Sequence, residues 1–138
     1  MSNAVAVNTP AASTVINIAN GYTSITGTDM ASRKRVFAAV ASAVKIDDNL
    51  DKPIALVDIL VQPVSGENEE TGEVEEYHRI TLIDSKGVAY TAGSKGLFNS
   101  VDTLLSIFGA PSSWTEPLTI KVVARKAPRG KYFAIELV

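Results

Sequence analysis

The chain has 138 residues, 46% of them hydrophobic, with a formal net charge of −2 and no cysteine. This length fits one domain with a buried core, and the lack of cysteine excludes a disulfide framework, a thiolate nucleophile and a zinc knuckle. No apolar run is long enough to cross a bilayer, and the N-terminus lacks the charged start and apolar block of a secretory signal. These features favour a protein of a reducing cytoplasm without membrane contact.

The small net charge conceals three segments of different sign. Residues 1–46 carry +3, residues 47–76 carry −9, and residues 77–138 carry +4. A charged partner responds to the patch within a Debye length of about 8–10 Å and not to the total charge of the chain. A polyanion therefore stays a candidate partner for the C-terminal part.

The N-terminal region divides into an arm and a helix. Residues 1–28 are small and polar, which predicts a flexible N-terminal arm. Residues 31–44 predict a helix with one apolar stripe. The stripe consists of Val36, Phe37, Val40, Ala41 and Val44. Arg33, Lys34 and Arg35 near the helix start are either solvated charges beside this stripe or a contact for phosphate.

The next segment predicts a buried strand followed by an acidic turn. Residues 54–61 are apolar and mostly β-branched except for Asp58, a composition typical of a strand covered on most of both faces. The segment from Gly66 to Glu76 carries six glutamates around Thr71 and Gly72. Such a segment is too polar to pack, so it predicts a solvated hairpin tip.

The rest of the chain predicts four strands and a second helix. Residues 77–84 alternate, with His78, Ile80 and Leu82 on one face, and a tight turn leads to a strand over residues 88–92. Ser94 is the predicted N-cap of a helix that Gly109 and Pro111 end. Strands over residues 118–124 and 132–137 form a last hairpin around the turn at residues 127–130.

The order of these elements points to one architecture. Three strands, a helix and two strands, preceded by an N-terminal helix, predict a mainly β fold with two helices. A five-stranded OB-fold-like barrel of order β-β-β-α-β-β has this connectivity. The single OB-like, single-stranded nucleic-acid-binding domain would cover residues 29–138.

Catalysis has little support in the sequence. His78 is the only histidine and shares a strand face with two apolar residues, so a structural role is the more economical interpretation. The segment Gly93-Ser94-Lys95-Gly96 lacks the spacing of a Walker A loop, and the glutamates lack the spacing of an EF-hand loop. We therefore predict no enzyme activity, no catalytic residue and no metal site.

Nucleic-acid binding has more support, because single strands are held by cationic grooves with aromatic side chains on which bases stack. Basic and tyrosine residues recur on predicted outward strand positions and on the last turn. The candidate binding residues are Tyr77, Arg79, Lys86, Tyr90, Lys121, Arg125, Lys126, Arg129, Lys131 and Tyr132. Outward lysines also protect strand edges from pairing, and tyrosines commonly cover a barrel face, so the pattern alone leaves both interpretations open.

Several short motifs resemble the single-stranded DNA-binding proteins of tailed bacteriophages. The motifs lie at residues 79–87, 94–99, 107–109, 114–118 and 129–132, and the likeness extends from about residue 31 to the end of the chain. The resemblance implies an OB-related fold, sequence-tolerant binding of single-stranded DNA in phage replication or recombination, no cofactor and no catalysis. It also implies a location in the cytoplasm of the bacterial host.

The resemblance does not decide which proteins are partners, and it leaves an alternative function open. The chain ends without the acidic tail that bacterial single-strand binders use for recruitment, and the acidic loop Glu67 to Glu76 is a candidate for recruiting phage replication proteins. Oligomer formation is compatible with the sequence. The main alternative is a protein-interaction or assembly module, a small phage structural or accessory protein without nucleic-acid binding.

Overall fold

The computed structural model describes residues 18–67, 70–128 and 130–138, and for Glu75 only the backbone. The strands are β1 (Tyr22–Thr23), β2 (Val44–Lys45), β3 (Ile54–Glu67), β4 (Val74–Asp84), β5 (Ala89–Gly93), β6 (Leu118–Ala127) and β7 (Gly130–Leu137). The helices are α1 (Met30–Ser42) and α2 (Lys95–Phe108), with short 3₁₀ turns at Ile46–Asn49 and Pro111–Ser113. The predicted mainly β class with two helices is confirmed.

All the strands join one curled sheet, in the order β2-β5-β4-β3-β6-β7 with β1 attached to β3. Its pairings are antiparallel except for the parallel pair β2 and β5. The long β3–β4 hairpin extends to Glu67 opposite Val74, so both strands continue into the predicted acidic tip. A bulge between Leu56 and Asp58 interrupts the β3–β4 register, and such bulges increase the local twist.

From Ile54 onward the predicted elements are present in the predicted order, as β3, β4, β5, α2, β6 and β7, and α1 precedes them. The order of the whole described chain differs from the prediction, because the short strands β1 and β2, which were not predicted, lie before and after α1. The predicted closed barrel is wrong. The sheet forms a curled half-barrel whose edge strands are β2 and β7. An OB-like fold is compatible with this curl, but five strands do not close upon themselves.

The barrel stays open because other elements occupy the two edges that would meet. On β5, Tyr90 and Thr91 pair with Val44 and Lys45 of β2. On β7, the backbone N–H of Ile135 donates a hydrogen bond to the Ser100 hydroxyl of α2 at 3.2 Å. Helix α2 contacts both β4 and β7.

The inner face of the curled sheet packs against α2 and forms the main core. Strand residues of this core include Leu56, Ile80, Leu82, Ile120 and Val122, all fully buried. From α2 come Leu97, Val101, Leu104 and Leu105. The predicted caps of α2 are confirmed: the Ser94 hydroxyl accepts from the Leu97 N–H at 3.2 Å, and Gly109 adopts a φ of 77°.

A second, smaller core covers part of the outer face of the sheet. Leu60, Ile83 and Ala89 pack there against Ala39 of α1 and Ile25. The alternation in β4 therefore does not separate a core face from a solvent face. Thr81 and Ile83, which alternate with the core residues Ile80 and Leu82, are also buried.

Helix α1 does not bury the predicted apolar stripe. Only Ala39 of this helix is buried, whereas Phe37 is 74% exposed and Val40 and Val44 are also exposed. Val36 and Ala39 pack against the second core, and Arg35 Nη2 adds an ion pair 3.1 Å from Asp58 Oδ2. This ion pair uses one of the three clustered cations for structure.

The predicted arm, residues 1–28, overlaps the described chain only from residue 18. There Ile18 is buried in the main core, Tyr22 and Thr23 pair with β3, and the Ser24 hydroxyl donates to Asp58 Oδ1 at 2.7 Å. The division into an arm and a domain stays a prediction. No helix in the described parts of the chain is long and apolar enough to span a membrane.

Candidate nucleic-acid interface

The β6–β7 hairpin places Arg125 directly opposite Tyr132, with Lys121 opposite Glu136 on the same face. Arg125 Nη2 lies 3.0 Å from Glu136 Oε2, and Lys121 Nζ lies 3.9 Å from Glu136 Oε1. Hydrogen bonding to Glu136, and then to Tyr132, raises the pKa of Arg125 above its ordinary value. One carboxylate thus holds two of the predicted phosphate-binding cations.

The other face of the hairpin carries a second pair of cations. Lys126 and Lys131 are cross-strand partners, and no carboxylate of the described residues lies within 4 Å of either. Like charges directly opposite each other destabilise a sheet, so an anion between them would be favourable. Arg129, predicted to bind phosphate at the same turn, lies outside the described residues.

The ring of Tyr132 lies against Gly96 in the first turn of α2. A Cβ atom at Gly96 would lie 3.0 Å from Tyr132 Cδ2 and 2.6 Å from the carbonyl oxygen of Phe133. Only glycine permits this approach, because contacts this short are sterically forbidden. The tyrosine is nevertheless 41% exposed, which leaves part of its surface available to a ligand.

Tyr77 has a matching environment on β4. A Cβ atom at Gly93, the last residue of β5, would lie 3.0 Å from Tyr77 Cδ2 and Cε2. The ring is 39% exposed. The side chain therefore covers a glycine of the neighbouring strand while part of its surface remains open to solvent.

The junction between β5 and α2 connects these two tyrosines. Gly93 and Gly96 are three residues apart, and between them lie the cap Ser94 and Lys95. Lys95 is exposed and lines one groove together with Arg125 and Tyr132. The two tyrosines thus lie along one short segment with a lysine between the glycines that they cover.

Sequence reasoning missed the role of this junction. The sequence at residues 93–96 predicts the Ser94 cap, but it does not predict that two tyrosine rings lie against Gly93 and Gly96. The available signal was the presence of two glycines around a helix cap, because glycines in such positions indicate close approach by other groups.

Arg79 lies on β4 two residues beyond Tyr77, opposite Gly93 on β5 and Gln62 on β3. It is half-buried, and no carboxylate of the described residues lies within 4 Å of its guanidinium. Arg79 and Tyr77 share the part of the outer face that the second core leaves uncovered. The structure therefore brings this predicted pair together.

Lys86 and Tyr90 lie elsewhere. Lys86 is on the β4–β5 turn, beyond the end of a strand that extends roughly 23 Å from Tyr77 to Asp84. Tyr90 was predicted on the outer face, and that placement is wrong. Tyr90 lies opposite Leu82 and packs against the main core. Its hydroxyl donates a hydrogen bond to Asp84 Oδ2 at 3.4 Å. Burial, and then the Asp84 carboxylate, raise the pKa of Tyr90.

The remaining chemical groups have structural contacts. His78 Nε2 lies 2.8 Å from the Ala19 carbonyl oxygen, and its ring centroid lies 4.3 Å from that of Phe98. The Trp114 indole donates to the Phe108 carbonyl at 3.0 Å. Within the described residues, no group of three or more histidine, aspartate or glutamate side chains is arranged to hold a metal ion.

The curled β-sheet is compatible with an OB-like fold, a class whose members bind single strands with aromatic and cationic side chains. The sequence model of the Phi29-type family, described as phage single-stranded DNA-binding protein, matches residues 15–137. The chain belongs to this family, and the resemblance predicted from its motifs is confirmed. Membership implies that the chain binds single-stranded DNA. The family consists of DNA-binding proteins and not of enzymes. No curated protein and no solved structure matches the chain significantly.

Proposed function

We propose that this protein coats single-stranded DNA without sequence preference during phage DNA replication or recombination, in the cytoplasm of the bacterial host. The placement of Tyr77 and Tyr132 on the two glycines of the β5–α2 junction carries the proposal. Bases of any sequence stack on tyrosine rings, because every base has a π-face. Such a surface holds a strand without reading its sequence.

Candidate cations lie on several elements, with Arg79 on the strand of Tyr77, Arg125 opposite Tyr132, and Lys126 and Lys131 on the other face of the β6–β7 hairpin. The candidate phosphate contacts comprise Arg79, Lys95, Lys121, Arg125, Lys126, Arg129 and Lys131. We assign Lys86 and Tyr90 weaker roles, since Lys86 lies beyond the far end of β4 and Tyr90 packs against the core. Lys126 and Lys131 have no carboxylate within 4 Å among the residues that the structure describes, so none of those carboxylates competes with a phosphate for them.

The β3–β4 hairpin is a candidate recruitment element. Glu67, Glu70, Glu73 and Glu76 lie at its end and are exposed. Their charge repels DNA, so this tip is unsuited to the strand and suited to a basic surface on a replication protein. Deleting residues 68–73 should leave DNA affinity intact and abolish such recruitment in a pull-down from infected cells.

Titration of a labelled oligo-dT at two salt concentrations tests the main proposal. Each phosphate contact releases counterions, so log affinity should fall with log salt at a slope of about −0.7 per contact. Replacing Arg125, Lys126 and Arg129 together should weaken binding and flatten this slope while the thermal transition persists. Equal affinity for duplex, or no response to salt, contradicts the proposal. A large, salt-insensitive oligomer that ignores DNA would favour the assembly module instead.

A further inference from the structure

A groove of about 620 Å³ lies between α2 and β7. Its apolar wall consists of Leu104, Ile107, Phe108, Ala134, Ile135 and Leu137. Lys95, Arg125 and Tyr132 also line it, and Asn99, Ser100 and Thr103 add polar groups from α2. The groove therefore combines an apolar surface with a cationic and aromatic surface.

The apolar wall is open to solvent. Ile107 is 69% exposed, and Phe108 and Leu137 are exposed beside it. Contiguous exposed apolar surface commonly marks a binding site, because its burial against a ligand is favourable. The volume also falls within the range of about 300–1,000 Å³ that is typical of small-molecule sites.

We propose that this groove receives a nucleobase of the bound DNA strand, next to the base that stacks on Tyr132. The inference rests on the proposed function. It follows from continuity, because Arg125 and Tyr132 belong both to the proposed DNA interface and to the groove. The charges of Lys95 and Arg125 favour a polyanion at this position.

The chemistry of a base matches the groove. A nucleobase has two apolar faces and an edge of hydrogen-bond donors and acceptors. Ile107, Phe108 and Leu137 supply surface for the faces, and Asn99 and Thr103 supply side chains that both donate and accept. Because either amide or hydroxyl group accommodates several base edges, the groove does not select a sequence.

Photo-crosslinking tests the position directly. Oligo-dT that carries 5-iododeoxyuridine binds in several registers, so its crosslinked peptides should include both Tyr132 and Phe108. Ile107→Asn should weaken oligo-dT binding about 3- to 10-fold by removing apolar surface. Phe37→Asn, an equally polar change on the exposed face of α1, is the matched control and should leave affinity unchanged.

The outcomes separate the groove from the general function. If wild-type protein binds oligo-dT, but Ile107→Asn has wild-type affinity and no crosslink forms on α2, the base site is refuted and the proposed function stands. If wild-type protein does not bind oligo-dT, both fail. Equal losses in Ile107→Asn and Phe37→Asn would also refute the groove, because the effect would then be general.

Discussion

The Glu136 carboxylate lies 3.0 Å from the Arg125 guanidinium, on the hairpin face that also carries Tyr132. Arginine binds carboxylate and phosphate oxygens with the same donor groups. A DNA phosphate that approaches the Nη2 group of Arg125 therefore competes with Glu136. The Arg125–Glu136 ion pair therefore lowers the affinity for DNA at this face. Lys126 and Lys131 on the opposite face have no such carboxylate partner among the described residues.

Glu136→Gln should strengthen oligo-dT binding. The substitution releases Arg125 and Lys121 from their shared carboxylate, and exposed ion pairs of this kind are weak, so a gain of about two- to fivefold is expected. Fluorescence titration at low salt measures it. Glu116→Gln removes the same charge from an exposed residue with no ion pair in the described chain. Equal gains in both variants would show that net charge alone is responsible.

Tyr77→Leu and Tyr132→Leu should each weaken oligo-dT binding. Loss of one base stack costs about 1–3 kcal/mol, which corresponds to about 5- to 150-fold in affinity. The salt slope should stay constant, because no phosphate contact is removed. Tyr90→Phe is the control, since it keeps the ring that packs in the core and removes only the hydroxyl bonded to Asp84. A similar loss in Tyr90→Phe would contradict the assignment.

Gly96→Ala should lower the free energy of unfolding by about 1–3 kcal/mol, because the added Cβ would lie 2.6 Å from the Phe133 carbonyl oxygen. The backbone of β7 must move to relieve this contact, and Tyr132 moves with it. Chemical denaturation measures the change. Gly66→Ala, where the nearest atom is Tyr77 Cε1 at 3.9 Å, should cost much less. Equal stability of the two variants would refute the close contact.

Lys131→Thr should affect stability and binding in opposite directions. Removing one of two directly opposed lysines should stabilise the free protein by roughly 0.2–1 kcal/mol. The same change removes a candidate phosphate contact, so oligo-dT affinity should fall and the salt slope should decrease by about 0.7. Thermal unfolding without DNA and titration at several salt concentrations report the two effects. Unchanged affinity would exclude Lys131 from the interface.

Ser24→Ala should destabilise the protein without a direct effect on DNA contacts. The buried Ser24 hydroxyl donates to Asp58 Oδ1 at 2.7 Å and accepts from the Ile59 N–H at 2.8 Å. Its removal leaves these groups without that partner, which costs about 1–3 kcal/mol. Ser42→Ala, which loses only an exposed bond to the Ala38 carbonyl, should be near neutral. A neutral Ser24→Ala would contradict this anchoring role.

The sequence by itself determined the local elements whose residue types admit few alternatives. Ser94 and Gly109 cap α2 as predicted, because a hydroxyl before the helix and a glycine after it satisfy end groups of the backbone. The β6–β7 hairpin also follows from alternation and a Pro-Arg-Gly turn. Its register places Arg125 opposite Tyr132, two residues that the sequence had already assigned to the site.

The tertiary structure alone decided which faces are free. Alternation in β4 is compatible with one buried face, but α1 and Ile25 bury Ile83 on the other, and no local pattern encodes a contact between segments so distant in the chain. Competition for strand edges likewise left the sheet open, since β2 pairs with β5 and α2 covers β7. The approach of Tyr77 and Tyr132 to Gly93 and Gly96 arises from that same packing, because long-range burial, and not local propensity, fixes where separate strands meet.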